Sequence, residues 1–116
     1  MTSRKVLQLV TRFVWSKMLF SPRNVVRLVY CSELEVVHAS IPRVHAHVFH
    51  YPDTICIVRD FDNLDDEHKI GILLHEFGHL FGGQHDADAD LWVEQVLGID
   101  IEYVDTMQWV PLEALA

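Results

Sequence analysis

The chain predicts a single α+β domain spanning residues 1–116. Three observations carry this: an amphipathic helical period at the start, a series of short β-branched runs broken by prolines, and a second apolar helical stretch ending in a glycine pair. At 116 residues there is room for one domain, and a composition that is 50% hydrophobic supplies one modest core.

Residues 3–19 read as a helix, because Val6, Leu9, Val10, Phe13, Val14 and Leu19 recur at helical spacing among Arg4, Lys5, Arg12 and Lys17. Ser21-Pro22 ends it, since proline disfavours helix in the residue before it. Four strand-like runs follow, at 25–31, 35–39, 44–50 and 54–59. Pro42 and the Tyr51-Pro52-Asp53 segment punctuate them, so a small mixed sheet of about four strands is expected. A polar acidic loop, 60–67, leads into a helix that runs to about residue 80. Asp65, Asp66 and Glu67 lie at its start, where negative charge suits the helix dipole. Gly82-Gly83 stop it. A further helix is expected over 86–97, ended by Gly98, and residues 99–104 read as extended.

Nine Lys and Arg against 17 Asp and Glu give a formal charge of -8. That balance argues against a nucleic-acid partner, which needs a basic face, and against an anionic membrane surface. No run of about 18 apolar residues exists to span a membrane. Residues 6–20 are interrupted by Gln8, Arg12 and Lys17, and no small-residue cleavage site follows, so a cytoplasmic protein is expected. Cys31 and Cys56 lack metal-binding or redox spacing. They read as buried free thiols, with a single bridge as the alternative.

The segment with the strongest chemical signal is His75-Glu76-Phe77-Gly78-His79. Residues four apart on a helix are about 40° apart around its axis, so both imidazoles project from one face. Two nitrogens can then reach one Zn2+ at roughly 2.0–2.1 Å, with Glu76 beside the metal as general base. A catalytic zinc needs a third protein ligand and an open position. His85 is the expected third ligand. Gly82 and Gly83 break the helix where the chain must turn, and glycine can adopt the positive φ that a sharp turn requires.

The stretch HEFGHLFGGQHD resembles the zinc-binding consensus of the metzincin metalloproteases: both helix histidines, the base, Gly82, His85 and the following Asp86. The resemblance implies a minimal zincin-like fold and a zinc-dependent metalloendopeptidase acting on a peptide or protein substrate. It also implies a methionine turn beneath the metal, for which Met107 is the candidate, although Met107 reads equally as a core residue. In zincins the strand before the active-site helix borders the cleft and can bind extended substrate, which points to residues 54–59. The acidic segment DADADLWVEQ resembles instead the third-ligand helix of gluzincin-type peptidases, including the small intracellular phage-repressor-cleaving group. In that alternative Asp88 is the third ligand, with Asp86, Asp90 and Glu94 behind it. A zinc-binding module without catalysis, or a regulatory one, is the alternative function.

His45, His47 and His50 cluster in an alternating run and read as a solvated or cleft-facing set rather than a second metal site. Trp92 and Trp109 read as core or core-edge aromatics. Tyr103 is a candidate contact for substrate or oxyanion by position alone.

Overall fold

The computed structural model describes residues 1–18, 26–30, 46–49 and 53–116. Helix α1 spans Ser3–Lys17; the Thr2 side chain accepts from the Lys5 amide and so satisfies one of its free N–H groups. Val6, Val10, Phe13 and Val14 of its apolar stripe are buried as the periodicity predicts, whereas Leu9 is only half-buried and Leu7 is buried in addition; Leu19 lies outside the described residues.

Strands β1 (Arg27–Tyr30), β2 (Ala46–Phe49) and β3 (Thr54–Ile57) form a sheet in the order β1-β3-β2. β1 runs parallel to β3, pairing Arg27 with Thr54 and Tyr30 with Ile57. β2 runs antiparallel to it, pairing Ala46 with Ile57 and Phe49 with Thr54. The sheet is mixed, as expected. The expected run at 35–39 lies outside the described residues. β3 is the central strand and is buried along its length. Its two edges are already hydrogen-bonded, so it cannot take up an extended substrate; the expectation that residues 54–59 do so is corrected. Cys56, on β3, is fully buried and disulfide-bonded rather than a free thiol. Cys31 lies outside the described residues.

A 3-10 turn, Arg59–Asn63, leads to helix α2, Asp66–Phe81. Asp65 caps it, accepting from the His68 amide at 2.8 Å. Twelve of its residues are buried, on every side, which makes α2 the central rod of the domain. Helix α3, Asp86–Trp92, continues through a π-helical turn, Val93–Leu97, to Gly98 at φ 72. That left-handed glycine is the helix stop expected there. Aromatic rings lock the three helices together. Trp15 of α1 meets Phe77 of α2 edge-on at 5.8 Å, and Phe81 of α2 meets Trp92 of α3 at 5.7 Å.

The chain then forms a hairpin of β4 (Glu102–Val104) and β5 (Met107–Trp109), pairing Tyr103 with Gln108. Asp105 and Thr106 both have positive φ, 53° and 65°, the form a two-residue hairpin turn takes. The hairpin lies against the first half of α2. The Val110 amide donates to the Glu67 carbonyl at 3.1 Å, and His68 Nδ1 lies 2.9 Å from the Gln108 carbonyl. A Cβ on Gly71 would sit 2.5 Å from the Trp109 nitrogen, so only glycine allows this approach. A short 3-10 turn, Leu112–Leu115, follows. No helix among the described residues is long and apolar enough to cross a membrane.

Candidate metal centre

α2 presents His75 and His79 one turn apart, with ring centroids 4.6 Å apart and ring planes at 90°. Their Nε2 atoms lie 3.0 Å from each other. The Asp86 Oδ1 atom lies 3.1 Å from His75 Nε2 and 3.0 Å from His79 Nε2. Three donor atoms on three side chains thus form a nearly equilateral triangle, and the group could hold a metal ion. Donors bound tetrahedrally at ~2.0–2.1 Å stand roughly 3.3 Å apart, close to what is seen.

The other face of each imidazole is already committed. His75 Nδ1 is 2.6 Å from Asp90 Oδ1, and His79 Nδ1 is 3.0 Å from the Gly83 carbonyl oxygen. Both partners only accept, so these contacts place the ring protons on Nδ1. In neutral rings each Nε2 is then a bare lone pair, and the two face each other and a carboxylate oxygen. Such convergence of acceptors is repulsive unless positive charge lies among them. Carboxylate and carbonyl partners behind ligating histidines are also what orient imidazoles at metal sites.

His75 is nearly buried and His79 mostly so, at 4% and 15% side-chain exposure, whereas Asp86 is 83% exposed. The group is therefore walled by protein behind the imidazoles and borders solvent on the Asp86 side. Burial pushes the Asp86 carboxyl up, but hydrogen bonds to His75 and His79, with their charge, more than offset this and leave it below its usual range. Glu76, next to His75 on α2, is buried; burial, with the Asp86 charge adding, raises its carboxyl to about 8. A cation in the group acts in the opposite direction, favouring the carboxylate.

The group that could hold a metal contains Asp86 and not the expected third ligand, His85. His85 is the exposed residue preceding α3, with extended backbone at φ -87 ψ 147, and it is not part of the group. Asp88, the alternative, is also absent from it; its side chain lies over Gly83, where a Cβ would come within 2.8 Å of Asp88 Cβ. The role expected of Gly82 also changes. Its φ of -106° is right-handed, so no positive φ is needed. A Cβ there would instead lie 2.4 Å from Trp92 Cβ. Gly78 does the same one turn earlier, where a Cβ would lie 2.3 Å from the Ala89 carbonyl oxygen. The two glycines let α3 settle onto α2, and that docking brings Asp86 to the histidines.

Met107 opens β5 and pairs with Val104 in the hairpin. The hairpin residue that reaches the site is Tyr103, whose hydroxyl donates to Asp90 Oδ2. From sequence Asp90 is only a possible ligand; the structure makes it the partner of His75. The available signal was the Asp86/Asp90 spacing, which puts both carboxylates on one helix face. His47 is half-buried on β2, while His45 and His50 lie outside the described residues.

No family model matches the chain. No match was found among curated proteins or among solved structures.

Proposed function

We propose that this protein is a zinc-dependent metallopeptidase in which His75, His79 and Asp86 hold the metal and Glu76 is the general base. The observation that carries the reading is the triangle of two imidazole nitrogens and one carboxylate oxygen, each 3.0–3.1 Å from the others, with both Nδ1 positions engaged elsewhere. The arrangement corresponds to the gluzincin-type alternative with an aspartate third ligand, moved from Asp88 to Asp86. Two imidazoles and a carboxylate suit zinc over the harder cations, which prefer all-oxygen sites.

Two features support catalysis over a purely structural role. Closed structural sites use four protein ligands, and among the described residues the group contains three. The exposure of Asp86 leaves a side on which water and substrate can approach. A bound zinc supplies Lewis-acid activation of water and polarisation of the substrate carbonyl. Glu76 accepts the proton of the attacking water and passes it to the departing amine. Its burial keeps that exchange away from bulk solvent, where competing proton acceptors are plentiful. Asp90 and the Gly83 carbonyl hold the two imidazoles in the tautomer that turns Nε2 toward the ion. The substrate is a peptide or protein segment, and the negative charge of the chain opposes a nucleic acid.

The test is metal analysis of the wild type and Glu76→Gln, with cleavage of a proteome-derived peptide library by both. The expected result is one zinc per chain in each protein and cleavage by the wild type alone. Zinc in both with no cleavage by either would overturn the peptidase reading and leave a zinc-binding module. Cleavage by Glu76→Gln at the wild-type rate would remove the proposed base.

A further inference from the structure

Asp90 has two carboxylate oxygens, and both are used. Oδ1 receives His75 Nδ1 at 2.6 Å, and Oδ2 receives the Tyr103 hydroxyl. A continuous line of hydrogen bonds therefore runs from the hairpin, through α3, to the imidazole on α2.

Tyr103 is not held in place by packing, because 53% of its surface is exposed and its whole strand faces outward. A ring this exposed contributes little to the core, so the polar end of the side chain is what the position uses. The hairpin, by contrast, is firmly seated. It is tied to the start of α2 through Glu67 and His68, and Gly71 sets its distance from that helix. The hairpin and His75 are thus mounted on one rigid rod, some distance apart along it. Tyr103 spans back from the first to the second through Asp90.

We propose that Tyr103 is a positioning residue for the metal centre, and that it makes the β4–β5 hairpin part of the metal site. Without its hydroxyl, Asp90 is held only through Oδ1 by His75 itself, and the His75 ring loses an independently fixed acceptor. Because coupling between two sites is reciprocal, metal binding also steadies the hairpin. This rests on the assignment of His75, His79 and Asp86 as ligands.

The experiment uses zinc alone as the probe, in competition with a chromophoric chelator, on wild type, Tyr103→Phe, Asp90→Asn and the double variant. Losing an outer-layer partner of a ligating histidine typically weakens metal binding about 10–100-fold, and Tyr103→Phe is expected near the lower end, at about tenfold. The melting temperature of the metal-free protein should be unchanged, which separates positioning from general stability. In the Asp90→Asn background the tyrosine substitution should add nothing, since its route to the metal is already cut. Hydrogen exchange supplies a second readout: zinc should slow the amides of 102–109 in the wild type, and less so in Tyr103→Phe. Unchanged zinc affinity in Tyr103→Phe, or an equal loss in the Asp90→Asn background, would overturn the proposal. A wild type that binds no zinc would instead overturn the ligand assignment beneath it.

Discussion

Gly78 and Ala89 touch backbone to backbone: a Cβ placed on Gly78 would lie 2.3 Å from the Ala89 carbonyl oxygen and 2.8 Å from its Cα. This is the point at which α3 is pressed onto α2. Both Asp86 and Asp90 hang from the helix that the contact positions. The smallest side chain that can be added there therefore acts on the candidate metal site from a distance.

Gly78→Ala should push α3 away from α2 and destabilise the fold by about 1–3 kcal/mol, as overpacking does when rigid atoms cannot yield. The zinc affinity should fall with it, because Asp86 recedes from the two Nε2 atoms. Thermal unfolding and zinc titration of the same variant check both parts. An unaltered affinity would show that Asp86 does not depend on this contact.

Asp86→Ala should weaken zinc binding by more than the roughly 10–100-fold seen when an outer-layer partner is lost, because a direct donor goes. His85→Ala should leave it unchanged, since His85 is exposed and outside the donor triangle. Chelator competition on the two single variants decides between adjacent residues that sequence pattern cannot separate. The reverse ranking would restore His85 as the ligand.

A second polar cluster, remote from the histidines, predicts a pH effect. Asp62 accepts from the Ser3 and Tyr30 hydroxyls. Burial raises its carboxyl, but those hydrogen bonds and the Lys69 charge prevail and leave it below the ordinary aspartate value of 3.8. A carboxyl whose pKa is lower in the folded state stabilises the fold at pH above its unfolded value. That contribution fades as pH falls through the folded value. Asp62→Asn should therefore be less stable than the wild type at neutral pH, and the gap should narrow once the pH drops below 3.8. Denaturation midpoints across pH 2–7, read without added metal, test the sign; a gap that widens in acid contradicts it.

The hairpin turn carries avoidable strain. Thr106 has φ 65°, a left-handed conformation that costs a β-branched residue more than most. Thr106→Gly should stabilise the protein by about 1 kcal/mol, a relief partly offset by the greater freedom of glycine when unfolded. If Tyr103 links hairpin and metal, zinc affinity should hold or improve in this variant. Calorimetry and zinc titration measure the pair, and a loss of stability would show that the threonine side chain makes a compensating contact.

Several elements were legible in the sequence because they are local. The Asp66–Phe81 helix follows from an apolar period and an acidic start, and the side-by-side placement of His75 and His79 follows from helical geometry alone. Gly98 was readable as a stop for the same reason. Strand β5 was not read, because its turn uses Asp105 and Thr106 at positive φ, where glycine or asparagine is the usual signal. The central place of β3 was also hidden, since its partners β1 and β2 both precede it in the chain and pairing order leaves no mark on a single strand.

By itself, then, the sequence determined a helix carrying two imidazoles and a carboxylate at fixed angles, because a helix sets those angles within a few residues. Only the tertiary structure decided that Asp86 rather than His85 closes the triangle, that Asp90 backs His75, and that Tyr103 reaches Asp90. Those outcomes depend on how α3 and the hairpin seat against α2. The seating is governed by a few backbone contacts, at Gly71, Gly78 and Gly82, between segments that local pattern treats as independent.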